Sequence, residues 1–394
     1  MQNYRIYVGI NGCGKSYKLR EIAEKALNYG RSVIAVSTSL NDKYPKMKAN
    51  KPYFYLGHRL NSSLAKKAIF SSLERLNDKD DPIKLNSMLS ILSYIKMDER
   101  IGIKVVGFKR DFEDLINKFE YNSDNFFKLQ NQLENKGISI NELLSLCYNY
   151  RKIYDESYQE INWISRYSRF GERYLDRQSD TLSGETLSGL VKYEKELRKL
   201  GVIKELRVFL SKKDSVVKLE DISSGEFSQL YTSMFILAYL KEDSIVLIDE
   251  PENSLHPEWQ LNYLKNLKNL FPYHSFECHI ATHSPMLISG ALKEDDVYVY
   301  RHDGEKFQEV NTKSGSIEDT YIDQFGIVTP ESHSLSERCV DILNKFSDQD
   351  INYDYAKNKV KEIRAMSYDE KQVEFLDGVL RLIDKIQQNK NEKW

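Results

Sequence analysis

Eight residues near the start, Gly9-Ile10-Asn11-Gly12-Cys13-Gly14-Lys15-Ser16, constrain this chain more than any other stretch. They fit G-x-x-x-x-G-K-[ST], a loop that follows a strand and opens a helix so that backbone amides and the positive end of the helix dipole face phosphate. The flanks agree, with residues 4–8 reading as a strand and residues 15–26 as a helix. The glycines permit close backbone approach. Ordinary residue frequencies give such a match by accident in roughly one chain in a hundred of this length, so the phosphate reading is taken over a chance turn.

A phosphate loop is half of a nucleotide site. Mg²⁺ between the β- and γ-phosphates needs a hard oxygen ligand, and an attacking water needs a polarising base. Far along the chain the apolar run Ile245-Val246-Leu247-Ile248 ends in Asp249 and Glu250, which supplies both groups at the end of a buried strand. Residues 276–281 read as a further strand, ending in Thr282-His283-Ser284-Pro285. A histidine placed there can donate to a γ-phosphate or merely cap the strand. His274, Cys278 and His279 lie close by in sequence, but neighbours on a strand point to opposite faces and no second cysteine is near, so zinc is not expected.

Composition narrows the class. At 394 residues and 41 % hydrophobic content the chain has room for a large core, and 57 basic against 59 acidic residues give no bulk field to draw nucleic acid. No apolar run approaches the roughly 18–20 residues of a membrane span, and no signal-peptide pattern precedes the loop strand. Cys13 sits inside the phosphate loop, where a disulfide would obstruct a nucleotide, so a reducing, cytoplasmic setting is expected.

Between the two halves of the site, residues 32–37 and 53–56 read as strands, and residues 65–200 as a mostly helical lobe with one strand at 101–108. Residues 148–177 are aromatic and basic. If helical, they align Arg166, Arg169, Arg173 and Arg177 as a stripe for phosphates or an acidic partner, or else as a solvated face paired with Glu172 and Asp176. Residues 202–217 read as two strands joined at Lys212-Lys213-Asp214. Ser223-Ser224-Gly225-Glu226 then opens the apolar helix 230–240, forming a second anion site. A hairpin follows at 297–310, and Ser367 with Glu370 reads as a capping box for a last helix whose apolar face serves packing.

Ser224-Gly225-Glu226, with Gln229, resembles the signature motif of the ABC-type ATPases, whose phosphate loop, signature, acidic strand and switch histidine occur in this order. Leu182-Ser183-Gly184-Glu185 imitates the signature but lies 65 residues before Asp249, against 24 for Gly225, too far for one helix and a strand. Asp249-Glu250-Pro251-Glu252-Asn253-Ser254-Leu255-His256-Pro257 and Ala281-Thr282-His283-Ser284-Pro285 are similar to the soluble branch that holds RecF, SMC and the OLD nucleases. Within it, the early phosphate loop and residues 53–59 look most like the Septu-type and retron-associated anti-phage defence ATPases.

The resemblance implies an α/β P-loop ATPase core at residues 1–64 and 201–330, with a mainly parallel sheet flanked by helices, an inserted helical lobe at 65–200 and a helical tail at 331–394. It implies ATP and Mg²⁺ as cofactors. Gly9, Asn11, Gly12, Cys13, Gly14, Lys15, Ser16 and Tyr17 would cradle the nucleotide, Ser16 and Asp249 would hold the metal, Glu250 would polarise water, and His283 and Lys15 would act at the γ-phosphate. Ser224, Gly225 and Glu226 would complete the site of a second subunit, making a homodimer or larger homo-oligomer. An effector protein would act in trans, since the 111 residues after His283 show no carboxylate cluster of a nuclease. A RecF-like maintenance ATPase and a scaffold with little turnover are the alternatives. Two family features find no counterpart: the adenine-stacking aromatic expected ahead of the loop, and a Q-loop glutamine, for which Gln130 and Gln132 are poorly placed.

Overall fold

The structure is a computed structural model that describes residues 3–39, 43–44, 51–57, 66, 69–71, 73, 82–120, 139–157, 161–165, 184–272, 274–310, 317–325, 333–367 and 369–391. The elements run β1 (Asn3–Val8), α1 (Lys15–Asn28), β2 (Val33–Ser37), β3 (Tyr53–Leu56), α2 (Pro82–Tyr94), β4 (Arg100–Val106), α3 (Phe112–Glu120), α4 (Ile140–Ser157), β5 (Asn162–Ser165), α5 (Gly184–Lys192), α6 (Glu194–Lys199), β6 (Glu205–Lys212), β7 (Ser215–Lys218) and α7 (Ser224–Tyr239). There follow β8 (Ser244–Asp249), α8 (Pro257–Leu261), α9 (Tyr263–Leu270), β9 (Phe276–Thr282), α10 (Pro285–Ala291), β10 (Val297–His302), β11 (Phe307–Glu309), α11 (Ile317–Thr320), α12 (His333–Ser347), α13 (Tyr353–Ala365) and α14 (Glu370–Asn391). They fall into two compact units, one of Met1–Tyr53, Asp243–Lys265 and Ser275–Trp394, the other of Phe54–Glu242 and Asn266–His274.

The first unit is built on a sheet of order β11-β10-β1-β9-β8-β2-β3, with the division between the units falling after the first residue of β3. The pairings β10-β1, β1-β9, β9-β8 and β8-β2 are parallel, and the β10-β11 hairpin is antiparallel. Every residue of β2 and of β8 is buried. A parallel strand covered on both faces must read as a continuous apolar run, which is why these two stood out in the sequence. In the C-terminal part, Leu376, Val379 and Ile383 of α14 pack with Val360 of α13 and with Cys339 and Phe346 of α12. The Ser367 box does not form. Ser367 Oγ donates back to the Ile363 carbonyl at 3.1 Å, and Asp369 instead accepts from the Lys371 amide at 2.7 Å, because the first turn begins two residues later than the box requires.

In the second unit the strand expected at 101–108 is not isolated. It is β4, in an antiparallel sheet of order β5-β4-β6-β7, and β6 pairs with it along its length. The residues expected to join β6 to β7 do so, with Lys213 and Asp214 both at positive φ. Two such residues without glycine need an outside hold. Asp98 supplies it, accepting from the Lys213 and Asp214 amides at 3.1 and 3.0 Å. The Ser211 hydroxyl on the same carboxylate, with these amides, keeps Asp98 below the usual carboxylate range despite desolvation. Asn162–Ser165 form β5, so residues 148–177 are not one continuous helix; Arg166, Arg169, Arg173 and Arg177 lie outside the described residues.

Helices α8 and α10 meet through Gly290, where a Cβ would sit 1.7 Å from the Leu261 carbonyl oxygen and 2.7 Å from its carbon. Backbone cannot swing aside as a side chain can. Gly290→Ala is therefore expected to cost about 3 kcal/mol, read as a lowered urea midpoint. Gly378→Ala in α14, where a Cβ meets nothing within 4 Å, is expected instead to stabilise by about 0.5–1 kcal/mol. Equal effects at the two positions would refute this account of the α8–α10 contact.

Candidate functional site

Because β1, β9, β8 and β2 are parallel, their carboxyl ends share one edge of the sheet. Register sets Val8 beside Thr282, Asp249 beside Ala281, and Ser37 beside Asp249. The residues that follow, Gly9, His283, Glu250 and Thr38, therefore emerge side by side, where open α/β sheets carry their ligands.

The phosphate loop has the expected form. Gly12 and Gly14 take φ of 85° and 95°, in the left-handed region, and Gly14 caps α1 without a side chain, so no side-chain oxygen competes for the first-turn amides. A Cβ at Gly9 would meet Cys13 Sγ at 2.6 Å. The buried Lys15 Nζ donates to the carbonyls of Gly9 at 2.7 Å and Ile10 at 3.1 Å, which positions its charge within the loop. Asn11 is exposed, and Tyr17 is exposed with its ring 6.0 Å from Lys43 Nζ, in the segment that follows β2.

Asp249 is fully buried. Ser16 lies close enough to lower its pKa, yet neither carboxylate oxygen has a donor in normal hydrogen-bond geometry. Burial, reinforced by Glu250 and Glu252, outweighs Ser16 and Lys15 and pushes Asp249 up to about 7. A carboxylate in that state, facing a serine hydroxyl, fits a divalent cation that would take its other ligands from phosphate and water. Among the described residues no group of three His, Cys, Asp or Glu could enclose a metal by itself.

Glu250 is held in the left-handed region at φ 54°, which costs a non-glycine residue on the order of 1–2 kcal/mol. Three bonds impose it. The Glu250 amide donates to the Ala281 carbonyl at 2.9 Å, the Thr38 hydroxyl donates to the Glu250 carbonyl, and Asn253 Nδ2 donates to Glu250 Oε2 at 3.2 Å. The carboxylate is left partly exposed at the sheet edge.

His283 Nδ1 stands 3.8 Å from Glu250 Oε1 and 3.1 Å from Glu252 Oε1, the latter without the alignment of a hydrogen bond. Glu252 is the residue that sequence reasoning passed over. Its Oε1 accepts from the Thr282 hydroxyl at 2.8 Å and the His283 amide at 2.7 Å, while its Oε2 is buried without a partner. Desolvation raises its pKa against the pull of these bonds. Ser284 completes the tie by donating to Gln260 Oε1 at 2.6 Å and capping α10. The signal was present as two more polar residues, Glu252 and Asn253, spaced just after Asp249-Glu250, but a surface turn reads the same way.

Lys15, Ser16, Asp249, Glu250 and His283 thus lie in one unit. Ser224, Gly225 and Glu226 belong to the other, at the start of α7. There Ser223, not Ser224, is the N-cap. It forms a capping box with Glu226, whose carboxylate also pairs with Lys212 at 2.8 Å. Burial raises the Glu226 pKa, but Lys212 and Ser223 outweigh it and the net shift is downward. Glu226 is thereby committed to the turn, whereas Ser224 is exposed on it.

The chain is 28 % identical over 149 residues to the Septu protein PtuA of Bacillus mycoides (strain KBAB4), covering 36 % of this chain and 20 % of that one. It is 27 % identical over 197 residues to the retron Vc95 probable ATPase of Vibrio cholerae serotype O1 biovar El Tor, covering 47 % and 36 %. To the protein ea59 of Escherichia phage lambda it is 22 % identical over 319 residues, covering 74 % and 47 %. It spans less than half the length of each of these relatives. A solved SMC head domain with an extended coiled coil, bound to the C-terminal domain of ScpA, from Pyrococcus furiosus, overlaps 78 % of this chain and 89 % of its own at 11 % identity, with a TM-score of 0.25. The family model described as the AAA ATPase domain matches residues 15–288, well over half of the chain, and the chain belongs to that family.

Proposed function

We propose that the chain binds ATP with Mg²⁺, hydrolyses it, and closes as a homodimer in which Ser224 and Gly225 of one subunit meet the phosphates held by the other. The observation that carries this reading is the buried Asp249 carboxylate, with Ser16 close by but no donor in normal hydrogen-bond geometry on either oxygen, at the same sheet edge as Glu250. Lys15 and the first-turn amides of α1 hold the β- and γ-phosphates. Mg²⁺, bound through Ser16 and Asp249, would neutralise the charge that develops between those phosphates. Glu250, fixed by Asn253 and Thr38, takes the proton of the attacking water, and His283, set by Glu252, donates to the γ-phosphate. The similarity to the Septu and retron ATPases supports a role in anti-phage defence with an effector protein in trans. No described helix is long and apolar enough to cross a membrane.

Two experiments test the chemistry. Glu250→Gln is expected to lower turnover by roughly 10²–10⁴-fold while keeping ATP binding. By light scattering its mass should double on addition of ATP and Mg²⁺, and Ser224→Arg should abolish the change. A mass that ignores both nucleotide and Ser224→Arg would sink the dimer.

The second test concerns Asp249, whose folded pKa of about 7 stands above the roughly 3.9 of an unfolded chain. A carboxyl raised on folding contributes stability that is full below the unfolded value and is lost as pH rises through the folded one. In metal-free buffer Asp249→Asn should therefore match the wild type near pH 4 and exceed it at pH 8 by on the order of 2–4 kcal/mol, measured by urea unfolding. A difference that does not grow with pH would contradict the buried, donor-free carboxylate.

A further inference from the structure

The base of the nucleotide needs a holder, and the side on which to look follows from strand order. Starting from the reading that the phosphate loop holds ATP, Glu250 and His283 fix the γ-phosphate end over β8 and β9. The nucleoside end must then leave across β1 on its other side, toward β10. Tyr17 does not stand there, since its ring faces Lys43 in the segment after β2.

On the β10 side the first residue past the strand register is His302. Val8 pairs with Arg301, so Gly9 and His302 lie abreast, and a Cβ at Gly9 would come within 3.4 Å of His302 Cβ. The imidazole is fixed from two directions. Its Nδ1 accepts from the Gly304 amide at 3.1 Å, which leaves Nε2 to carry the ring proton, and its edge meets Phe307 at 5.0 Å between centroids and 75°. Phe307 is itself braced edge-on against the buried Tyr7, at 5.4 Å and 87°. The turn beyond is also set. Asp303 accepts from the Glu305 and Lys306 amides, each at 2.9 Å, and from the Gln308 side chain. One residue past Gly9, Ile10 presents an aliphatic side chain that is 66 % exposed. A preset, partly exposed aromatic ring beside the entry of a phosphate loop, next to a bare aliphatic surface, is what a planar base requires, because every base offers a face for stacking.

We infer that His302, at the tip of the β10-β11 hairpin, is the stacking platform for the adenine of ATP.

The test separates base from phosphate. Affinities for ATP and for inorganic tripolyphosphate, both with Mg²⁺, are measured by calorimetry for the wild type, His302→Ala and His302→Phe. Loss of one base stack corresponds to roughly a 5- to 150-fold weakening. His302→Ala is expected to lose ATP affinity on that scale while tripolyphosphate changes by less than about twofold, and His302→Phe, which keeps a ring, should recover ATP binding. Unchanged ATP affinity in His302→Ala overturns the assignment. Equal losses for ATP and tripolyphosphate overturn it too, since they would mean that His302 only shapes the loop. If the wild type binds neither ligand, the ATP reading itself fails and the assignment falls with it.

Discussion

Everything in the first unit depends on a carboxylate placed where water cannot easily satisfy it. Asp249 ends a strand buried along its whole length, between β9 and β2, so its backbone cannot shift without breaking parallel ladders on both sides. Fixed backbone and burial together disfavour the charged carboxylate there and raise its pKa to about 7. The lysine and serine of the phosphate loop reach it because β1, only one strand removed from β8, delivers them to the same edge. The cost of that burial is local, and the extensive apolar core around β8 and β2 can offset it.

Glu250 shows the same trade at the next residue. Its left-handed backbone runs against intrinsic preference, and three bonds from β9, the Thr38 segment and Asn253 are spent to hold it there. Adjacent residues on a regular strand alternate faces, whereas a left-handed turn immediately after the strand keeps the second carboxylate at the edge with the first. The two acids thereby sit in different surroundings, one buried, the other partly open to water.

The glycine-rich loop, Asp249, Glu250, His283 and the strands that carry them were legible in the sequence, because each rests on local pattern: glycines at fixed offsets, or a mostly apolar strand ending in polar residues. What it hid depended on partners distant in the chain. Glu252 looks like a surface turn residue until Thr282 and the His283 amide, thirty residues on, are folded against it. The strand at 101–108 looked solitary because its partner β6 is a hundred residues away. Ser367 and Glu370 had the spacing of a capping box, but the helix starts two residues later, where Asp369 accepts from the Lys371 amide. Ser223 rather than Ser224 caps α7, a one-residue ambiguity that two adjacent serines cannot resolve without geometry.

The single oxygen of Glu252 that grips both the Thr282 hydroxyl and the His283 amide has a mechanical meaning. With Ser284 bonded to Gln260 and Gly290 pressed to Leu261, the segments after β8 and after β9 are joined at three places, from the sheet edge to the C-terminal end of α10. A displacement of His283 would pull on Glu252 directly and on α8 through Ser284 and Gln260, so the sheet edge and that helix share one chain of bonds.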